Sequence, residues 1–142
     1  MTILLTPTHV RAIEDHARAT FPEECCGFLV GNSGEPRRVR ETRRATNVVK
    51  ENRERRYVID PREILEVDRA LVGTGQDLLG FYHSHPNHPA RPSEFDLENA
   101  AWPGYSYVIL SIVDRNPNDL RAWLLDAESR LAKPEILSIT QE

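Results

Sequence analysis

The sequence predicts an α+β fold or a mixed-sheet sandwich rather than a doubly wound parallel sheet. Three observations lead there. Short apolar segments alternate with amphipathic helical segments, and the spacing between them is irregular. A hairpin pattern sits late in the chain, around Asn116-Pro117-Asn118-Asp119. No regular strand–helix–strand repeat of the kind that builds a doubly wound parallel sheet is visible. At 142 residues the chain suits one domain, 1–142, with no internal repeat, low-complexity stretch or linker.

Taken in order, the first element is a helix over 6–19. Thr6 can cap it, Pro7 suits the first helical position, and Val10, Ile13, His16 and Ala17 share a face. Phe21-Pro22-Glu23-Glu24 breaks that pattern, and CCGFLVG follows as a short buried strand ending at Gly31. Residues 32–36 read as a turn. The loose alternation over 37–49 predicts a twisted strand running into a loop, and Tyr57-Val58-Ile59 a further short strand. Asp60-Pro61 opens a second helix to about Leu71, with Ile64, Leu65, Val67 and Leu71 facing inward. Gly73 to Gln76 is a loop and Leu78 to His83 a strand. Ser93 opens a short helix to about Ala101, and Tyr105 to Asp114 is a strand dense in β-branched residues. Leu120 to Leu125 pairs back as the hairpin, and Glu135 to Thr140 is expected as a last edge strand.

Composition excludes several functions. The chain is 39% hydrophobic and 28% charged with a formal charge of −4, which offers no general electrostatic attraction for nucleic acid. One basic span stands out, with Arg37, Arg38, Arg40, Arg43, Arg44, Arg53, Arg55 and Arg56 inside 37–56. It is either a solvated strand face or a docking surface for an acidic partner. No apolar run approaches the ~20 residues needed to span a bilayer. The N-terminus lacks the basic start and apolar stretch of a secretory signal, so the expected location is the cytoplasm. Cys25 and Cys26 are adjacent; neighbours in a strand face opposite ways, so no disulfide between them is expected.

The stretch FYHSHPNHPARPSEFD, Phe81 to Asp96, carries the chemistry. Residues i and i+2 of a strand share a face, so His83 and His85 can aim both rings at one point while Ser84 faces the other way. Ser93-Glu94-Phe95-Asp96 fits a helix start in which Asp96 satisfies an end donor as part of a capping box. The loop 86–92, stiffened by Pro86, Pro89 and Pro92, can also fold that helix start back so that Asp96 joins the imidazoles. Two neutral nitrogens and one carboxylate are a common set for Zn²⁺ with a fourth position open. Zinc held so brings the pKa of its water towards ~7. Amide hydrolysis also needs a group that moves protons without being a ligand. Glu24, directly before the apolar strand, is a candidate, with Glu23 beside it and an ordinary solvated loop position as the alternative.

HSHPNHPARPSEFD resembles the signature of the JAMM (MPN+) metalloprotease family, H-x-H-P, a short loop, then P-S-x-x-D, and ECCGFLVG resembles its E-x-C-G segment. YVIDPREIL, LLGFYHSHP and YSYVILSIVD followed by RAWLLD are similar to successive parts of its compact prokaryotic members. The resemblance is weakest over 32–56 and at the two ends. It implies a cytidine-deaminase-like mixed sheet with helices and one Zn²⁺ per chain on His83, His85 and Asp96. It implies Glu24, by register in E-x-C-G, as the proton shuttle, and Ser93 as a donor to the oxyanion. The implied activity is peptidase or isopeptidase cleavage after the C-terminal Gly-Gly of a ubiquitin-like protein. The compact branch is similar to peptidases that act on sulfur carrier proteins. The sequence leaves the oligomeric state open, a homodimer included.

Rival classes are separated by residues. A metal-free, binding-only relative would lack ligands, yet His83, His85, Asp96 and Glu24 are all present. The H-x-E and P-C-x-x-C pair of nucleobase deaminases and the H-E-x-x-H of other zinc proteases are absent. A cysteine nucleophile at Cys25 or Cys26 would resist chelators and fail with alkylating reagents. His9 and His16 read as ordinary helix residues. His88 lies inside the loop, with a surface position as the default and contact with substrate or metal as the alternative. Trp102 and Tyr105 either shape a groove or simply pack.

Overall fold

The computed structural model describes residues 1–100, 102–126 and 128–141. Its elements run β1 (Thr2–Leu5), α1 (Pro7–Thr20), β2 (Cys26–Asn32), β3 (Arg37–Ala45), α2 (Pro61–Leu71), β4 (Asp77–Pro86), α3 (Glu94–Asn99), β5 (Ser106–Val113), β6 (Asn116–Leu125) and β7 (Ala132–Ile139). The strands close on themselves in the order β1-β3-β2-β4-β5-β6-β7. β1 pairs parallel with β3 and β7, β4 pairs parallel with β5, and the other pairs are antiparallel. The fold is thus α+β with a mixed sheet and helices, as the irregular interleaving indicated.

Local chemistry sets the elements. Thr6 caps α1: its side chain accepts from the His9 N–H, and the His9 ring accepts from the Thr6 N–H. Ile13, His16 and Ala17 then face the core. His16 Nδ1 lies 2.6 Å from Tyr82 Oη, which ties α1 to β4. Burial, followed by the charge of Arg44, brings the His16 pKa down to about 4, so the ring is neutral. Asp60 caps α2 through the Arg62 N–H. Two apolar clusters flank the strands. One gathers Ile3, Leu5, Ile13, Leu29, Tyr82 and Leu110 under α1. The other gathers Phe28, Val30, Val67, Leu71, Phe81 and Tyr107 under α2. β4 is buried from Leu78 to Pro86 and is the central strand. Gly80 lets β5 come close, because a Cβ there would strike the Ser106 carbonyl.

Several expectations are corrected. β1 was not expected at all, and it makes β7 an interior strand joined to both β6 and β1 rather than an edge. Tyr57-Val58-Ile59 forms no strand, only an isolated bridge between Asn47 and Ile59. Leu65 is 48% exposed, because α2 buries the narrower stripe of Val67 and Leu71. The hairpin turns at Asp114 and Arg115, both at positive φ, while Asn116 and Pro117 already pair with Val113 and Ile112. β4 runs past His83 to Pro86. α3 ends at Asn99, and the expected end at Ala101 lies outside the described residues. Among the described residues no helix is long and apolar enough to cross a membrane.

Arg37 is not part of a solvated face. Its guanidinium is buried, 2.7 Å from Glu135 Oε2, and also donates to the carbonyls of Leu79 and Gly104. Ser106 Oγ donates to Glu135 Oε1 at 2.6 Å. One buried ion pair therefore links β3, β4, β5 and β7 where the sheet closes. Arg37→Met strands the Glu135 charge and is expected to cost roughly 3–5 kcal/mol in urea unfolding, whereas adding Glu135→Leu should recover much of that loss.

Candidate metal centre

The pairing of β2 with β4 builds the site. Cys26 lies opposite His83. The Cys25 N–H donates to Ser84 Oγ at 2.8 Å, and the Ser84 N–H donates to the Cys25 carbonyl at 3.1 Å. Ser84 thus holds the register from the face opposite the histidines, as the period-2 argument requires. Glu24, one residue earlier, is fixed by its own backbone. Its N–H donates to the Arg53 carbonyl at 2.8 Å, and its carbonyl accepts from Asn47 Nδ2 at 3.3 Å.

Asp96 comes in from α3. Ser93 Oγ accepts from the Asp96 N–H at 3.1 Å, and Asp96 Oδ2 accepts from the Ser93 N–H at 2.9 Å. The capping box is therefore formed. The same Oδ2 lies 3.1 Å from His83 Nε2 and 3.0 Å from His85 Nε2, and the two Nε2 atoms are 3.1 Å apart. The alternatives the sequence left open at Asp96 hold together, since one oxygen both caps the helix and faces the imidazoles. The loop between is pinned by Ser111 Oγ donating to the His88 carbonyl and Trp123 Nε1 donating to the Ala90 carbonyl.

The protonation of His85 follows from its partner. Nδ1 lies 2.7 Å from the Pro89 carbonyl, which can only accept, so Nδ1 carries the proton. Burial lowers the His85 pKa, so the ring is neutral and Nε2 presents a bare lone pair to the cluster. His83 Nδ1 is buried without a hydrogen bond, and the ring is instead stacked on Tyr57, centroids 4.3 Å apart at 27°. His88 stacks on His85 at 4.0 Å and 20°, and its Nε2 lies 3.8 Å from Glu24 Oε2. His88 is thus second-rank to the cluster but against it, not on an open surface. In the sequence Tyr57 reads only as the start of a short strand, with no sign of its contact with His83.

Glu24, His83, His85 and Asp96 are all buried, and one ligand atom from each lies within 4.8 Å of the others. Burial, then the Asp96 charge, pushes the Glu24 carboxyl up to about 9. Burial alone would raise Asp96 too, but the His83 imidazole beside it overrides that and holds it well below the usual carboxylate range. Both Glu24 oxygens and Asp96 Oδ1 are buried without a hydrogen bond. The bare His85 nitrogen and the unpartnered carboxylate oxygens meeting in a buried space are acceptors lacking a donor, and a cation satisfies them together. The donor set therefore fits a zinc-type metal. The cysteines do not join it. Both are free and buried; burial raises Cys25 to about 11 and Cys26 further, so neither is a ready thiolate. Beside Asp96 opens a cavity of about 230 Å³ walled by Tyr57, Ile64, Phe81, Trp102 and Tyr107. Trp102 thus shapes a groove, and Tyr105 packs on Phe81.

The raised Glu24 pKa has a definite sign. The folded state binds the proton more tightly than the unfolded chain, so the metal-free protein loses stability as pH rises from about 4.5 towards about 9. Metal-free Glu24→Gln is expected to be more stable than the parent by roughly 3 kcal/mol at pH 7, a gap that closes near pH 4.5. Thermal unfolding across that range reads it, and a gap independent of pH would contradict it.

The family model described as prokaryotic homologs of the JAB domain matches residues 6–126. A desampylase of Haloferax volcanii is 43% identical over 90 residues, 63% of this chain and 63% of that protein, so the chain spans less than two thirds of that relative. A CysO-cysteine peptidase of Mycobacterium tuberculosis is 34% identical over 117 residues, 80% of this chain and 76% of that protein. The solution structure of a protein from Desulfitobacterium hafniense matches with a TM-score of 0.85 at 30% identity, covering 100% of this chain and 94% of that one.

Proposed function

This chain belongs to the prokaryotic JAB-domain family, and from that premise we propose that it is a zinc peptidase that hydrolyses the bond after the C-terminal Gly-Gly of a ubiquitin-like sulfur carrier protein. The observation that carries the reading is the buried meeting of His83, His85 and Asp96 with the unpartnered carboxyl of Glu24. The relatives' names, desampylase and CysO-cysteine peptidase, support an enzyme over a binding-only role. The carrier and its Gly-Gly come from the resemblance of the motif.

His83, His85 and Asp96 would hold the zinc. When bound there, zinc supplies Lewis acidity, lowering the pKa of a water and polarising a carbonyl. Glu24 takes the proton of the attacking water and passes it to the departing amine. Burial raises the pKa of the Glu24 carboxyl, and a positive charge beside it would act in the opposite direction. Ser93 Oγ accepts the Asp96 N–H and keeps its own proton to donate to the oxyanion forming on the substrate carbonyl. The neutral His85, fixed by Pro89, and the His83 ring, held by Tyr57, keep the acceptor atoms in place. Only glycine lets a backbone run so close to a buried centre, which suits a Gly-Gly tail.

Intact-mass analysis of a carrier protein bearing extra residues past Gly-Gly tests the reading. Cleavage directly after Gly-Gly that a chelator abolishes is expected. Glu24→Gln should retain zinc and lose roughly 10²–10⁴-fold in rate. His83→Ala/His85→Ala should lose the zinc by metal analysis. Full zinc retention in that double variant, or full activity in Glu24→Gln, would overturn the assigned roles. Cleavage only of isopeptide-linked conjugates would move the substrate to protein-conjugated modifiers.

A further inference from the structure

Charge is segregated along this chain. Residues 37–56 contain nine of its 18 lysines and arginines but three of its 22 acidic residues, so the segment is +6 and the remainder −10. Within it Arg37 is buried on Glu135 and Arg43 pairs with Glu41. Arg53, Arg55 and Arg56 are exposed. Among the described residues none of the three has an ion-pair partner.

The stretch that carries them is built rather than loose. The Asn47 side chain staples it, donating to the carbonyls of Glu24 and Arg56 and accepting from the N–H groups of Val49 and Val58. Val48 N–H donates to the Val58 carbonyl at 2.9 Å, Arg55 N–H to the Asn52 carbonyl at 3.0 Å, and Arg53 Nε to the Val49 carbonyl at 2.9 Å. It is also fixed against the metal-capable cluster on both sides. The Arg53 carbonyl holds the Glu24 N–H, and the Arg56 guanidinium lies 4.7 Å from the centre of the Phe95 ring on α3, next to Asp96. The Arg55 charge acts on Glu24 and His88. A rigid positive rim therefore borders the cluster from Glu24 to α3 on a molecule that is otherwise negative.

We propose that Arg53, Arg55 and Arg56 form a docking rim for an acidic face on the folded body of the ubiquitin-like carrier, whose tail then reaches the cluster; this rests on the function proposed above. Charge complementarity selects the occupant. An acidic partner is repelled by the −10 remainder and attracted to the basic span, whose end nearest the cluster is this rim, so the field both speeds encounter and orients the tail towards Glu24. A short tail by itself has no use for the rim, because it lacks the folded acidic face.

The test compares two probes: an acidic ubiquitin-like carrier extended past Gly-Gly, and a peptide of about its last eight residues, too short to present a folded face. Arg53→Glu/Arg56→Glu is set beside the charge-keeping Arg53→Lys/Arg56→Lys, with Arg55 left native because its charge reaches Glu24. Titration calorimetry and steady-state cleavage are run at low and high salt. The Glu pair is expected to weaken Kd and raise KM for the folded carrier by on the order of tenfold or more, with the Lys pair restoring both and added salt weakening the parent. The peptide KM should move by less than about twofold. Unchanged carrier affinity in the Glu pair, or an equal loss on the peptide, overturns the docking rim. Tighter salt-dependent binding of a duplex oligonucleotide or of phosphatidylserine vesicles than of the carrier overturns it as well. Arginine-dependent carrier binding without cleavage by the parent would keep the rim and defeat the proposed activity, and cleavage indifferent to both arginines would do the reverse.

Discussion

The pairing of β2 with β4 is the constraint on which the site depends. A strand's side chains alternate, so a slip of one residue in that ladder would send both imidazoles to the face under α1 and Glu24 away from them. Ser84 prevents the slip. It is wholly buried, and it exchanges two hydrogen bonds with Cys25, one through its hydroxyl and one through its backbone. The flanking apolar residues reinforce the same register, with Phe81 in the cluster under α2 and Tyr82 in the cluster under α1, where its hydroxyl meets His16. Gly80 then allows β5 to lie against β4, which brings Ser111 to the carbonyl of His88 and fixes the loop that ends at Asp96.

What this scaffold assembles is unfavourable by the ordinary rules of burial. Two carboxyl groups and two imidazoles lie out of water, and several of their polar atoms have no hydrogen-bond partner. Elsewhere among the described residues only Arg37 Nε and Tyr107 Oη are buried without a partner, while Glu135 meets both Arg37 and Ser106 and Asn47 uses its amide on both sides. The contrast marks the cluster as a place where stability is given up for chemistry. The supports differ between its parts. Backbone groups hold His85 and Asp96, while an aromatic face holds His83, and so the two imidazoles are oriented by different kinds of contact.

Much of this was legible in the residues. The period of two placed His83 and His85 together, and the Ser93-Glu94-Phe95-Asp96 helix start announced both the cap and the carboxylate. The apolar run after Glu24 located a central strand. What escaped depends on contacts distant in sequence. β1 is only four residues long, and its pairing with β3 and β7 has no local signature. Asn116-Pro117-Asn118-Asp119 has turn composition, yet the chain reverses at Asp114-Arg115, where an arginine adopts positive φ because the ladder on either side demands it. Arg37 reads as one more surface arginine until its partner, 98 residues away, is known. The stacking of Tyr57 on His83 and of His88 on His85 could not be read, because ring stacking leaves no periodicity.

Whether His83, His85 and Asp96 hold zinc is tested by anomalous diffraction from crystals grown with zinc, recorded on both sides of the zinc absorption edge. A single strong peak is expected within coordination distance of His83 Nε2, His85 Nε2 and Asp96, with Glu24 beside it but not bound to it. A peak on Cys25 or Cys26, a peak coordinated directly by Glu24, or no peak within reach of the two imidazoles would contradict it.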